Sequence, residues 1–266
     1  MIKYEYSKEV MIMTDKEWLN NKIKKINPKA KYKFTEKEAI KIKEIYDDFN
    51  EQREFLKDEA KRFMKQKIGH IQIKSNDYFV RFRVKDVDHL IIKILRQGKK
   101  KRKHINKDNY LSYFKDLIGF RVLCINQKDK LTYLKHFVNT VESISQIKFY
   151  TSNIERKNEY LKVKTKYENK TKCEVYFRDE PTPYESIHIY AKSYYKDVMM
   201  EFQVRTLFEE AWGEVDHSLK YPYNMKDKFL TEQMSILFSV SEVADKIITS
   251  VFKHKKIKTI NNVKHY

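Results

Sequence analysis

The run MEFQVRTLFEEAWGEVDHSLKYP, residues 200–222, limits the possible folds more than any other stretch of the chain. Its first part alternates, with Phe202 and Val204 on one side and Glu201, Gln203 and Arg205 on the other. A period of two is a strand pattern, and only one of these two faces suits a core. After Thr206 the spacing becomes helical. Phe208, Ala211, Trp212, Val215 and Leu219 form one stripe, and Glu210, Glu214, His217 and Tyr221 lie opposite. The apolar stripe is expected to be core and the opposite side solvated. SIHIYAKSYY and VMMEFQVRT read as two arms of a hairpin around Lys196-Asp197.

Elsewhere strands and helices mix without a repeat. Thr35 and Glu38 have capping-box spacing ahead of a long amphipathic helix reaching about Lys67. HIQIKSNDYFVRFRVK reads as two strand-like runs about a turn at Ser75-Asn76-Asp77, with Arg81, Arg83 and Lys85 sharing a face. Asp86 can cap the helix VDHLIIKILRQ, which carries Lys93, and GKKKRKH (98–104) reads as a basic loop. A helix is expected at 108–115, a buried strand at 117–125 and an amphipathic helix at 129–144. KFYTS and TKCEVYFR are strand-like, separated by a polar stretch. Helices are expected at 207–220 and about 227–252, before a mobile basic tail. The fold class is α/β or α+β, organised as an N-terminal helical extension (1–69), a core (70–222) and a C-terminal helix and tail (223–266).

The chain carries 56 Lys and Arg against 37 Asp and Glu, a net charge of +19. Such a balance favours polyanionic partners, although a bias toward Lys, Ile, Asn and Tyr accounts for part of it. Cys124 and Cys173 have neither zinc-site nor disulfide-framework spacing. The charged N-terminus is unlike a signal peptide, and no apolar run approaches the ~20 residues of a membrane span. A soluble, cytoplasmic protein is expected.

Two acids stand out. Asp116 immediately precedes LIGFRVLCI, and Glu201 sits within a strand otherwise suited to burial. Two carboxylates on neighbouring strands among many cations suit Mg²⁺ with substrate phosphates. Structural salt bridges, for instance Glu201 to Arg83 or Arg205, explain the same pattern. In PTPYESIHIYAK, two prolines stiffen the approach to Tyr184, and Tyr184, Ser186 and His188 alternate on one face. A Tyr so presented can stack on a base.

Together these segments resemble the synthetase domain of the RelA/SpoT family, over roughly residues 78–222. KDLIGFRVLC resembles its metal-binding segment, FRVKDVDHLIIKILR its ATP-binding strand and helix, and YESIH its acceptor loop. EFQVRT followed by AWGEVDHSLKY is similar to its E-x-Q-x-R-T strand and following helix. The resemblance implies a mixed sheet flanked by helices, akin to nucleotidyltransferases. It also implies transfer of pyrophosphate from ATP to the 3′-hydroxyl of a guanosine nucleotide. Asp116 and Glu201 would then be catalytic and hold Mg²⁺, and Arg83, Lys85, Lys93 and Arg121 would bind ATP. Tyr184, His188, Gln203, Arg205 and His217 would face the acceptor. The family's P-N-G-Y is here Pro181-Thr182-Pro183-Tyr184, Asp86 stands where the family has a capping Ser, and no H-D-x-x-E-D hydrolase motif is present. The alternative is a toxin-type relative that pyrophosphorylates the 3′ end of tRNA and has a neutralising antitoxin as partner. Small members of the family often assemble through terminal helices, and Phe229, Met234, Leu237, Phe238, Val240 and Val251 suit either such a homo-oligomer interface or cover for the domain core, which leaves the oligomeric state open.

Overall fold

A computed structural model describes residues 13–69, 71, 78–177, 184–193, 198–220 and 227–263. The turn at 75–77, Lys196-Asp197, the prolines before Tyr184, and Tyr221 lie outside them. The chain divides into two units, one comprising residues 1–54 and 85–113 and the other 55–84 and 114–266.

The first unit is helical: α1 (Asp15–Ile26), the first part of α2 (Glu36–Phe63), α3 (Val87–Arg96), α4 (Lys99–His104) and α5 (Tyr110–Tyr113). The Thr35–Glu38 box forms reciprocally, at 2.9 and 3.2 Å. Asp86 caps α3 through the amides of Asp88 and His89. The basic stretch after Gly98 is helix rather than loop. Its anchor is Arg102, which donates to Glu38 at 3.0 Å and to the carbonyls of Leu95 and Lys33. The lysines around it, Lys99, Lys100, Lys101 and Lys103, stay exposed. The helix expected at 108–115 is a single turn, and buried Tyr110 on it donates to Asp48 at 2.6 Å.

The second unit is built on a six-stranded mixed sheet, in the order β1-β2-β6-β5-β3-β4. The strands are β1 (Tyr78–Val84), β2 (Ile118–Cys124), β3 (Ile144–Thr151), β4 (Lys172–Phe177), β5 (Ser186–Lys192) and β6 (Met199–Thr206). β2–β6 and β3–β4 are parallel and the other pairs antiparallel. Two transverse rows make one face apolar throughout. The first is Phe82, Phe120, Phe202, Ile189, Ile147 and Cys173; the second is Val80, Val122, Val204, Ile187, Phe149 and Val175. Phe120 and Phe202 stack at 4.5 Å, and Phe63 from the end of α2 and Phe137 from α6 (Gln127–Thr140) close over Phe202. Such aromatic pairs contribute about 0.5–1.5 kcal/mol each beyond their buried area.

α7 (Ile154–Tyr167) occupies the polar stretch between β3 and β4. Asn153 starts it by accepting from the amides of Glu155 and Arg156, but its buried residues are Arg156, Tyr160 and Tyr167. Apolar periodicity does not register such a face. α8 (Leu207–Lys220) follows β6 directly, and α9 (Lys228–Val263) runs into the segment expected to be a mobile tail.

The wheel predicted for α8 holds at Trp212, Glu214 and His217 and fails at most other positions. Of its apolar stripe only Trp212 is buried, while Val215 and Leu219 are 38% and 43% exposed. The buried positions include Glu209 and Glu210. Thr206 and Glu209 form a capping box, at 2.8 and 3.1 Å. The Glu209 carboxylate also accepts from Lys130 Nζ at 2.8 and 3.0 Å and from Gln127 at 2.5 Å. Burial alone pushes this carboxyl up, but Lys130 and Arg156 bring it below the usual range. Arg156 lies 3.2 Å from Glu185, so the cluster of buried charges is paired throughout. On α9, Met234 and Phe238 face inward against Trp212, whose Nε1 donates to the Met234 carbonyl at 2.7 Å.

Candidate active site

The other face of the sheet is polar across its whole width. One row runs Arg81, Arg121, Gln203, His188, Lys148, Glu174, and the next Arg83, Gly119, Glu201, Tyr190, Gln146, Lys172. The polar side of β6 is thus one strip of a larger floor.

Glu201 pairs with neither Arg83 nor Arg205 among the described contacts. Its Oε1 accepts from Tyr190 at 2.9 Å and lies 3.0 Å from His188 Nδ1, and its Oε2 accepts from Gln203 at 3.0 Å. Burial pushes this carboxyl up, but the bonds from His188, Tyr190 and Gln203 outweigh it and bring it down to about 2. Glu201 is therefore an anion at any ordinary pH.

Arg205 only donates, and its Nη2 reaches Tyr184 Oη at 2.5 Å. With a neutral imidazole, the Tyr184 hydroxyl donates to His188 Nε2 at 3.0 Å and the ring proton sits on Nδ1, facing Glu201. Arg205, Tyr184, His188 and Glu201 form one directed chain. Behind Arg205 stands Glu210, accepting from its Nη1 at 3.0 Å. The other Glu210 oxygen accepts from Arg81 at 2.9 Å and Arg121 at 2.5 Å, and Arg121 also donates to Glu214. Burial raises the Glu210 carboxyl, and Arg205 and Arg121 more than reverse the effect.

Beside these arginines is a cavity of about 300 Å³ lined by Arg81, Phe82, Arg83, Gly119, Arg121 and Glu214. A Cβ on Gly119 would lie 3.8 Å from Arg83 Cγ and 3.9 Å from its Nε, so the Arg83 side chain runs across the strand there. His217 is within electrostatic reach of Arg83, Arg121 and Glu214; burial is the main cause of its lowered pKa. At the far end, Tyr150 stacks on Tyr176 at 5.1 Å and meets Tyr184 and His188 edge-on. Lys148 lies over the rings of Tyr176 and Tyr190. Lys115 donates to Gln146 at 3.1 Å, and its pKa is lowered by burial and then by Lys148 and Lys172.

Asp116 sits in the turn before β2, half-buried. Burial and Glu201 are the main causes that raise the pKa of the Tyr190 hydroxyl, and the Asp116 charge adds to them, so both carboxylates bear on one point. Among the described residues no three His, Cys, Asp or Glu side chains form a metal cage. Two hard carboxylates nonetheless fit Mg²⁺, which keeps waters and substrate phosphates in its shell. Glu201 spends three acceptor directions and has about one left for a metal.

The family model described as "Region found in RelA / SpoT proteins" matches residues 82–226. The chain belongs to the RelA/SpoT family. Among solved structures, the small alarmone synthetase 2 from Bacillus subtilis is 18% identical, with a TM-score of 0.51 over 78% of this chain and 99% of that one. The small alarmone synthetase 1 from Bacillus subtilis is 19% identical, with a TM-score of 0.50 over 79% and 94%. These likenesses are of fold. No curated protein matches the chain.

In this RelA/SpoT chain, the polar face gathers Arg83, Arg121, Glu201, Gln203, Arg205, Tyr184 and His188, and Asp116 bears on it from the turn before β2. Lys85 and Lys93 belong to the other unit, before and within α3. Reading the sequence missed Glu210, Tyr190, Lys148 and Tyr150. For Tyr190 the signal existed, since it continues the Tyr184, Ser186, His188 alternation.

Proposed function

We propose that this protein is a pyrophosphokinase that transfers the β,γ-pyrophosphate of ATP to the 3′-hydroxyl of a guanosine nucleotide, giving (p)ppGpp-type alarmones. The observation that carries this reading is the directed chain from Arg205 through Tyr184 and His188 to Glu201, laid across a sheet face rich in cations. In the reaction the 3′-oxygen bonds to the β-phosphorus, the bond from that phosphorus to the α–β bridging oxygen breaks, and AMP leaves. Arg83 and Arg121 flank the adenine in the cavity beside β1 and β2, with His217 close by, and Tyr184 stacks on the acceptor base. Lys85 and Lys93 keep their assignment to the ATP phosphates from the sequence alone.

Asp116 and Glu201 would hold Mg²⁺, which when bound supplies charge neutralisation at the phosphates. A carboxyl brought down to about 2 is a weak proton acceptor, so Glu201 serves as a fixed anion that orients His188 and the acceptor. A loose transition state needs positioning and charge more than a strong base. No helix among the described residues is long and apolar enough to cross a membrane. The use of ATP and guanosine nucleotides proposed here supports a cytoplasmic location.

The second reading, pyrophosphorylation of the tRNA 3′ end, draws on the exposed lysines of α4. The test is purified protein with γ-labelled ATP, Mg²⁺ and, in separate reactions, GTP, GDP, GMP or deacylated tRNA. Label in the guanosine nucleotides is the expected result. Label in tRNA alone replaces this function with the second one, and would bring an antitoxin as partner. No transfer to any acceptor overturns both.

A further inference from the structure

We propose that Glu210 couples the ATP pocket to the acceptor residue Tyr184, so that binding of either nucleotide strengthens binding of the other. The inference rests on the function proposed above, and no part of the activity itself requires it.

Glu210 divides its two oxygens between two places. Oε1 serves Arg81 and Arg121, which line the cavity beside β1 and β2, and Oε2 serves Arg205, which donates to the Tyr184 hydroxyl. The carboxylate is only 5% exposed and Arg205 7%, so water does little to screen either contact. Three guanidiniums thus share the charges of Glu210 and Glu214. Adenine stacking on Arg121 draws that guanidinium away from Glu210, and the hold of Glu210 shifts toward Arg205. Arg205 has little freedom to retreat from it. A Cβ at Gly213 would stand 2.9 Å from Arg205 Nη1, so the backbone of α8 lies against the guanidinium. The tightened pair fixes Arg205 under Tyr184, and through His188 it steadies the anion of Glu201. Linkage requires the reverse effect to be equal: an acceptor that fixes Tyr184 makes the ATP pocket tighter.

A buried ion cluster that only stabilised the fold would leave the two affinities independent. The experiment therefore measures GDP binding by calorimetry, with Mg²⁺, in the absence and presence of a saturating ATP analogue. The analogue has a methylene between its α- and β-phosphorus and cannot donate pyrophosphate. In the unaltered protein the analogue is expected to lower the GDP Kd about fivefold or more, the lower end of common coupling energies. In Glu210→Gln and in Gly213→Ala the shift should fall below about twofold, with each ligand still binding alone. Gly213→Ala keeps every charge, moves only Arg205 and favours the helix, so it decides the matter where Glu210→Gln fails to fold. Unchanged coupling in the variants overturns the proposal, as does an unaltered protein that binds both ligands independently. A protein that binds neither ligand removes the proposed function itself, a result distinct from lost coupling.

Discussion

Arg205 and Tyr184 are joined twice: by a hydrogen bond of 2.5 Å from Nη2 to the phenol oxygen, and by a guanidinium carbon 5.2 Å from the ring centroid. Burial lowers the Arg205 pKa, but Tyr184 and Glu210 outweigh it, so the charge stays. The phenol is held from below while its ring remains half-buried at the strand entry.

The hydroxyl and the ring of Tyr184 can therefore be separated. Tyr184→Ala removes the proposed stack and should raise the KM for the guanosine acceptor by about 5- to 150-fold, from ~1–3 kcal/mol of base stacking. Tyr184→Phe keeps the ring but cuts the chain to His188, and should lower kcat with little change in KM. Steady-state kinetics on both variants check this. Equal effects on KM would show that the hydroxyl only helps to seat the ring.

Glu201→Gln should reduce transfer at least 100-fold, because the amide carries no charge for metal or imidazole. Its stability has a defined pH dependence. A carboxyl lowered to about 2 stabilises the fold above its ordinary range, and that contribution is lost as the pH falls toward 2. The unaltered protein should therefore exceed Glu201→Gln by up to about 3 kcal/mol at neutral pH, with the gap closing below about pH 4. Urea unfolding at several pH values measures it, and a constant gap would contradict the charged assignment.

The polar floor was legible in pieces. Alternation in β6, β1 and β5 marked Glu201, Gln203, Arg205, Arg81, Arg83, Tyr184 and His188 as facing away from a core. The rows that join them depend on strand order, which periodicity does not contain. β3 and β4 supplied no clear pattern, so Gln146, Lys148 and Tyr150 went unnoticed. Glu210 was placed on a solvated face because a helical wheel counts charge as exposure. Its burial follows from arginines on three strands, two of them, Arg81 and Arg121, distant in sequence and beyond any local rule. The T-x-x-E spacing of Thr206 and Glu209, by contrast, was available as a capping signal.

Asp245 should make an opposite contribution. It is 1% exposed on α9, accepts from Thr206 at 2.8 Å and Gln127 at 3.0 Å, and is pushed up to about 6 by burial and by Glu209. A raised carboxyl favours the fold while protonated, and this is lost as the pH rises through about 6. Asp245→Asn can still accept from both partners without the charge. It should match the unaltered protein near pH 4 and exceed it by up to about 3 kcal/mol at pH 8. Denaturant curves at those two pH values decide; equal stability at both would mean that Asp245 ionises at no cost.

α9 also carries an unpaired apolar stripe. Ile236, Val240, Val243 and Ile247 are 59%, 59%, 55% and 57% exposed and recur at spacings of four, three and four residues. This is the spacing of a coiled-coil seam, and β-branched side chains at both seam positions suit association of several helices. The inward residues Met234 and Phe238 leave the stripe free to meet a second copy. Light scattering on the purified protein should report an oligomer, and Val240→Glu with Ile247→Glu should convert it to a folded monomer. Placing two carboxylates in an apolar seam costs far more than the exposed positions lose in the monomer. An unaltered protein that is monomeric at tens of micromolar would remove α9 as the assembly surface.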